Sequence, residues 1–202
     1  MPELIDLYIE KLINNTPTEK IKQYKNNTII VDIVFEGGLF NGSYESGFMY
    51  YLKTIERLKY IKIDKLSGCS IGSIISLLYF VDVKYYDKFN KKIYTLACNK
   101  LKKEHNLNIF DNLFKMLSKI LPDDIIKQIN NRLYISYFNI KSKKHIVKSN
   151  YKNVNELFDT IRRSCSVPLV IDNNMFYNKK YIDGLHPYIF PKESNKSMSP
   201  IW

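Results

Sequence analysis

Cysteine is scarce and unpatterned in this chain. Cys69, Cys98 and Cys165 are the three, an odd number whose spacing suits neither a disulfide framework nor a zinc site, and such usage fits a reducing compartment. The start, MPELIDLYIEKLINN, is amphipathic and carries acids early, without the basic start and continuous apolar run of a secretion signal. No long hydrophobic run occurs either. The longest uncharged stretch, Leu66–Val81, falls short of the roughly 20 apolar residues of a spanning helix and contains Ser67, Gly68, Ser70, Gly72, Ser73 and Ser76, so it is expected to be buried in protein. There is no internal repeat and no linker long enough to separate domains, and 202 residues suit one domain with one core. Acidic residues are in deficit, 20 Asp+Glu against 31 Lys+Arg, for a net charge of +11. That surface favours anionic partners, nucleic acid or an acidic membrane, and charge alone does not choose between them; a solubilising lysine face in an Asn-, Ile- and Lys-rich composition is the plainer reading. Disorder is excluded by an apolar content of 45%.

What is present alternates. Leu4, Ile5, Tyr8, Ile9 and Leu12 form a helical stripe over residues 3–13, and the polar stretch up to residue 27 reads as a connector. Thr28–Phe35, TIIVDIVF, is β-branched and charged only at Asp32, as expected of a strand buried on both faces of a parallel sheet. A glycine loop, a helix over Ser43–Leu58, a short strand near Ile63–Ser67, a second glycine loop and a helix reaching Asp82 follow. This order predicts an α/β fold, a mainly parallel central sheet with helices on both faces. Val83–Asn131 reads as helical, with Tyr86, Phe89, Ile93, Leu96, Ala97 and Leu101 three or four apart and Pro122-Asp123-Asp124 opening a short helix. Residues 132–148 read as two strands about Lys141–Lys144. Asn153 and Glu156 are spaced as a capping box for a helix to Ser164, and residues 175–183 suggest a short hairpin ending at Asp183.

Three stretches carry chemistry. Gly68-Cys69-Ser70-Ile71-Gly72 is a G-x-S-x-G. A nucleophilic serine has to project from a sharp strand-to-helix turn, and glycine at −2 and +2 permits that turn. Glu36-Gly37-Gly38-Leu39-Phe40-Asn41-Gly42 follows the strongest strand, and backbone N–H groups of such a loop can cradle a developing oxyanion. It matches neither G-x-G-x-x-G nor a phosphate loop with G-K-[ST]. Tyr181-Ile182-Asp183-Gly184 sets an aspartate at a strand end, where its carboxylate can face a neighbouring strand; an ordinary Asp-Gly turn is the plain alternative.

In this order the three stretches resemble the patatin-like phospholipase family, which combines a glycine-rich oxyanion loop after the first strand, a G-x-S-x-G elbow and a D-G-[GA]. Arg163-Ser164-Cys165-Ser166-Val167-Pro168 also resembles the small-residue-then-proline stretch that precedes the family's aspartate. The resemblance spans roughly residues 28–187 of a single domain, between an N-terminal helix and connector (1–27) and a short tail (188–202). It implies a lipid acyl hydrolase in which Ser70 attacks an ester carbonyl, Asp183 takes its proton without a histidine, and Gly37, Gly38 and Leu39 hold the oxyanion. It implies no metal and no organic cofactor. The substrate would be a lipid ester; oligomeric state is not implied. On that reading the Lys- and Tyr-rich segment Val83–His105 would dock on an anionic membrane surface, the plainer alternative being a solvated helix with its apolar stripe in the core. An intracellular location is expected, since a sugar on the sequon Asn41-Gly42-Ser43 would crowd the glycine loop. The chain departs from the family at Asn41, where an Arg or Lys is usual, at Leu39, the third loop glycine, and at Leu185, where Gly or Ala follows. Few residues follow Asp183 for a member, so the last elements are expected to be minimal or the chain truncated.

Other readings stay open on the sequence. A Ser-Asp-His hydrolase would use Ser70, an acid and His186, but Asp183 and His186 share one short turn and no H-G-G-G loop precedes the elbow. His105 and His145, in Lys-rich surroundings, read as surface residues. A catalytically weak or dead relative acting as a basic membrane or nucleic-acid module would use Lys84–Lys103 and Lys141–Lys148 with Tyr85, Tyr86 and Tyr94 between them, though no nucleic-acid-binding motif is present.

Overall fold

The β-branched run at Thr28–Phe35 forms β1 (Ile29–Phe35). The computed structural model describes residues 28–38 and 41–191, together with Leu7 and Lys11, which are helical; the rest of the expected N-terminal helix, the connector, Leu39, Phe40 and residues 192–202 lie outside the described residues. After β1 come α1 (Gly42–Arg57), β2 (Ile61–Cys69), α2 (Ile71–Leu78), a 3₁₀ turn at Val83–Tyr85, and α3 (Tyr86–Glu104). Then follow α4 (Phe110–Leu117), α5 (Ile125–Ile129), the strands β3 (Leu133–Asn139) and β4 (Lys144–Lys148), α6 (Val154–Ser164) and β5 (Tyr181–Asp183).

The fold is α/β, as the alternation predicts: β1, β2 and β3 run parallel, while β4 and β5 both pair antiparallel with β3. β2 lies on one edge of β3 along Leu133–Ser136, and β4 takes the other edge. β5 pairs with Tyr137–Asn139, so it takes over the β2 edge just where β2 ends. This succession carries the functional geometry, because it brings the end of β5 to the end of β2.

β1 is not buried on both faces. It is an outer strand of the order β1-β2-β3-β4, and most of its side chains are half-exposed. Its one charge has a local task. The register shifts between Val31 and Ile33, and the Asp32 carboxylate accepts the Lys65 N–H at 3.2 Å in that irregular stretch, so a group left out of the ladder is still bonded.

α2 is shorter than the expected helix to Asp82, and Gly72–Leu78 are all buried. A buried helix end needs partners for its last carbonyls. Lys53 Nζ donates to Tyr79 O (2.8 Å) and Val81 O (2.6 Å), and the Tyr86 hydroxyl donates to Leu78 O. Burial there holds the Lys53 amine below its ordinary value, partly offset by Asp82 and Glu56. Tyr86 is thereby enclosed and cannot serve as an exposed stacking ring. α6 is capped as expected on one side: Asn153 Oδ1 accepts the Glu156 N–H at 2.9 Å, while the Glu156 carboxylate bonds the Lys152 N–H (2.7 Å). Among the described residues no helix is long and apolar enough to cross a membrane.

Candidate active site

Phe35 pairs with Gly68 across the parallel strands β1 and β2, so the loops leaving both strands emerge side by side at the carboxyl edge of the sheet. Ser70 sits between β2 and α2 with φ 52° and ψ −130°, a conformation L residues rarely hold. Neighbours fix it from all sides. Its carbonyl accepts the Ser73 N–H (3.0 Å), the Ser73 hydroxyl (2.6 Å) and the Cys165 thiol (3.1 Å). Its own N–H donates to Ser164 Oγ at 2.9 Å, and that hydroxyl donates on to Ser136 O at 2.7 Å.

The segment holding the elbow also holds the aspartate. Asp183 N–H donates to Ser166 O (3.0 Å) and Gly184 N–H to Ser164 O (3.4 Å). The small-residue stretch at the end of α6 therefore holds both, Ser70 through the Ser164 and Cys165 side chains and Asp183 through a backbone carbonyl. Ser164 lies in the small-residue stretch that the sequence marked, but its role toward Ser70 was not foreseen; Ser73 and Ser136 were not singled out, and Ser136, between Ile135 and Tyr137, carries no local signal.

Asp183 is 8% exposed and Ser70 7%. Asp183 Oδ1 accepts the Leu185 N–H at 2.9 Å, whereas Oδ2 is buried with no hydrogen-bond partner among the described residues. Burial raises the Asp183 carboxyl above the ordinary carboxylate value, against the opposing pull of the Ser70 hydroxyl and the Leu185 N–H. Leu185 adopts φ 63°, a left-handed conformation that a residue with a Cβ holds only at a cost.

The glycine loop lies against the serine. A Cβ on Gly37 would stand 3.2 Å from Ser70 Cβ, and Gly38 has φ 149°, beneath the Asn41 side chain. Asn41, in place of the family's basic residue, closes a turn through its N–H to Gly38 O (2.9 Å). Cys69 is no rival nucleophile: burial and the Asp183 charge push its thiol up to about 12, despite a hydrogen bond from the Gly37 N–H. Ile71 opens α2 and packs against the start of α1 at Gly42. His186 turns its ring onto His145, with centroids 4.6 Å apart and planes at 7°, and no hydrogen bond joins it to Ser70 or Asp183 among the described residues. His145, expected at the surface, is half-buried in that stack. No cluster of His, Cys, Asp and Glu among the described residues could hold a metal ion.

Ser70 stands at the wall of a cavity of about 450 Å³. α2 contributes Ile71, Ile74 and Ile75, and α3 contributes one side from Phe89 to Leu101; Leu107, Leu113 and Ile171 complete a mostly apolar lining. The apolar stripe on α3 that the spacing predicts is thus divided. Tyr86 and Phe89 are buried, and beyond them Ile93, Ala97 and Leu101 line the cavity.

These features have a counterpart among known proteins: the family described as patatin-like phospholipase matches residues 33–185. The chain belongs to that family. It is a family of lipid acyl hydrolases and transacylases. Two curated members, the omega-hydroxyceramide transacylases of Mus musculus and Homo sapiens, are 22% and 21% identical over 160 residues. Those stretches cover 75% of this chain but 26% and 30% of the two relatives, so the chain spans less than a third of their length.

One patatin-loop neighbour was not anticipated. Glu45, in the first turn of α1, has a buried Oε2 without a hydrogen-bond partner among the described residues, and burial together with the Glu36 charge raises its carboxyl to about 7. The unfolded chain titrates at the ordinary value of 4.5. The native form therefore holds an extra proton between about 4.5 and 7, and that stabilisation is complete below the window and lost as pH rises through it. Glu45→Gln is expected to melt like wild type near pH 4 and higher than wild type at pH 8. Equal melting temperatures at pH 8 would remove Glu45 from the account.

Proposed function

We propose that this chain cleaves carboxylic esters of phospholipids or acylglycerols through an acyl-enzyme on Ser70, with Asp183 as its base. The observation that carries the reading is a serine on a strained elbow, beside a buried carboxylate with one unengaged oxygen, at the wall of an apolar cavity. An aspartate at its ordinary value is a poor base for a hydroxyl, and desolvation makes it a better one. Asp183 takes the Ser70 proton as Oγ attacks the carbonyl carbon. The Gly38 N–H, with those opening α2, stabilises the oxyanion, since the Gly37 N–H is already given to the Cys69 thiol. The proton then passes to the departing alcohol, and water or a second alcohol releases the acyl group. The two relatives, transacylases of omega-hydroxyceramide by name, favour an alcohol as a second acceptor. The acyl chain lies in the cavity between α2 and α3.

The test is chain-length selectivity. Wild type is expected to hydrolyse long-chain acyl esters faster than butyrate esters. Ala97→Phe, which fills the cavity from α3, is expected to lower kcat/KM for long chains by about 10-fold or more and to leave butyrate within a few-fold. An unchanged profile would show that the acyl chain lies elsewhere.

A further inference from the structure

The cavity beside Ser70 has a surface rim along α3. Phe89, Ile93 and Ala97 line its interior. Tyr94 and Leu101 also line it, yet are 62% and 42% exposed. One further step round the helix stand Lys91 and Lys102, both exposed. Eleven residues apart, they share one face of α3, about 16 Å along its axis. Across the opening, Gly42 and Ser43 form the α1 lip, and Tyr44 beside them is 82% exposed. The acids of α3, Asp87 and Glu104, lie at its ends, and Glu104 is held by Lys100 at 2.6 Å. Lys91 and Lys102 enter no ion pair among the described residues.

We propose that this face, the Lys91–Lys102 edge of α3 with Tyr44 opposite, docks on an anionic lipid bilayer. Tyrosine rings and a leucine around an apolar opening suit the water–lipid boundary, and lysines flanking them suit the depth of the phosphates. Docked this way, an acyl chain enters the cavity from the membrane without crossing water. That benefit rests on the acyl-pocket reading; the docking does not. Nucleic acid fits less well, since Tyr94 and Leu101 are edges of an apolar cavity rather than a polar groove lined for phosphate.

Co-sedimentation with phosphatidylcholine vesicles, and with vesicles containing about 30% phosphatidylserine, tests the surface; each lysine at the membrane is worth roughly fivefold in partition. Lys91→Glu with Lys102→Glu is expected to lower binding to anionic vesicles by at least about 25-fold. Lys62→Glu with Lys127→Glu is the charge-matched control. Lys62 is the second residue of β2, at the end remote from Ser70, and Lys127 lies in α5, which leads into the start of β3. The control is expected to stay within about threefold of wild type. Both doubles should hydrolyse a soluble butyrate ester as wild type does. Equal binding of wild type to neutral and anionic vesicles, or equal losses in the two doubles, overturns the proposal. So does an α3 double that loses binding to a single-stranded oligonucleotide but keeps binding to vesicles. Expected vesicle behaviour without ester hydrolysis in any form would sink the hydrolase reading and leave the docking surface standing.

Discussion

Ser70→Ala is expected to lower ester hydrolysis by at least about 10⁴-fold, and Asp183→Asn by a comparable factor, with the fold intact. The backbone of Ser70 carries the elbow: its N–H and carbonyl make the bonds to Ser164, Ser73 and Cys165, and all survive in the alanine variant. Asparagine at 183 can still accept the Leu185 N–H at Oδ1, while the unengaged Oδ2 becomes an amide donor that cannot take a proton. The double variant should be no worse than either single one, because two groups acting on one proton fail together. In wild type, activity should fall toward acid as Asp183 protonates, with the limb above the ordinary carboxylate range, since burial raises that carboxyl. Hydrolysis of a medium-chain ester, with circular dichroism to verify folding, decides the matter. Variants that match wild type, or an inactive wild type, would point to an inactive relative whose basic surface carries its role.

Gly68→Ala and Gly72→Ala are expected to cost about 3 kcal/mol or more of stability, enough to prevent folding if the chain is marginal. A Cβ on Gly68 would stand 2.3 Å from Gly72 O, and one on Gly72 would stand 2.5 Å from Glu36 O and 2.6 Å from Phe35 O. Every obstacle is backbone, of the end of β1, the residue after it or the elbow itself, so no side chain can swing aside to absorb the overlap. Gly47→Ala supplies the contrast. It lies within α1 with nothing within 4 Å of its Cβ position, and alanine there should stabilise by about 0.5–1 kcal/mol. Urea midpoints for the three variants test the packing; a Gly72→Ala protein as stable as Gly47→Ala would show that α2 does not press on β1 as described.

Much of the site could be read from local spacing. A strand, a glycine loop and a G-x-S-x-G before an uncharged helix are short-range patterns, and the chain forms β1, the loop, Ser70 and α2 in that order. The support around Ser70 could not be read this way. Ser164 and Ser136 reach it from α6 and β3, and a serine carries no mark of the carbonyl or N–H that it will meet after folding. Nor could Glu45 be recognised, since an acid in the first turn of a helix is an ordinary preference and only burial beside Glu36 makes it unusual.

The amino-acid order by itself determined the strand–helix alternation, the sharp turn that carries a serine, and the membership that these motifs imply, because each depends on residues a few positions apart. Tertiary structure alone decided the rest. β5 meets the serine because β3 offers β2 and then β5 the same edge, which depends on pairing between strands distant in sequence. The apolar stripe of α3 divides between core and cavity because a helical period specifies which side chains share a face, not whether that face meets another helix or open space. Asp32 looked like a flaw in a buried strand until β1 proved to be an outer strand whose irregular register left the Lys65 N–H for its carboxylate.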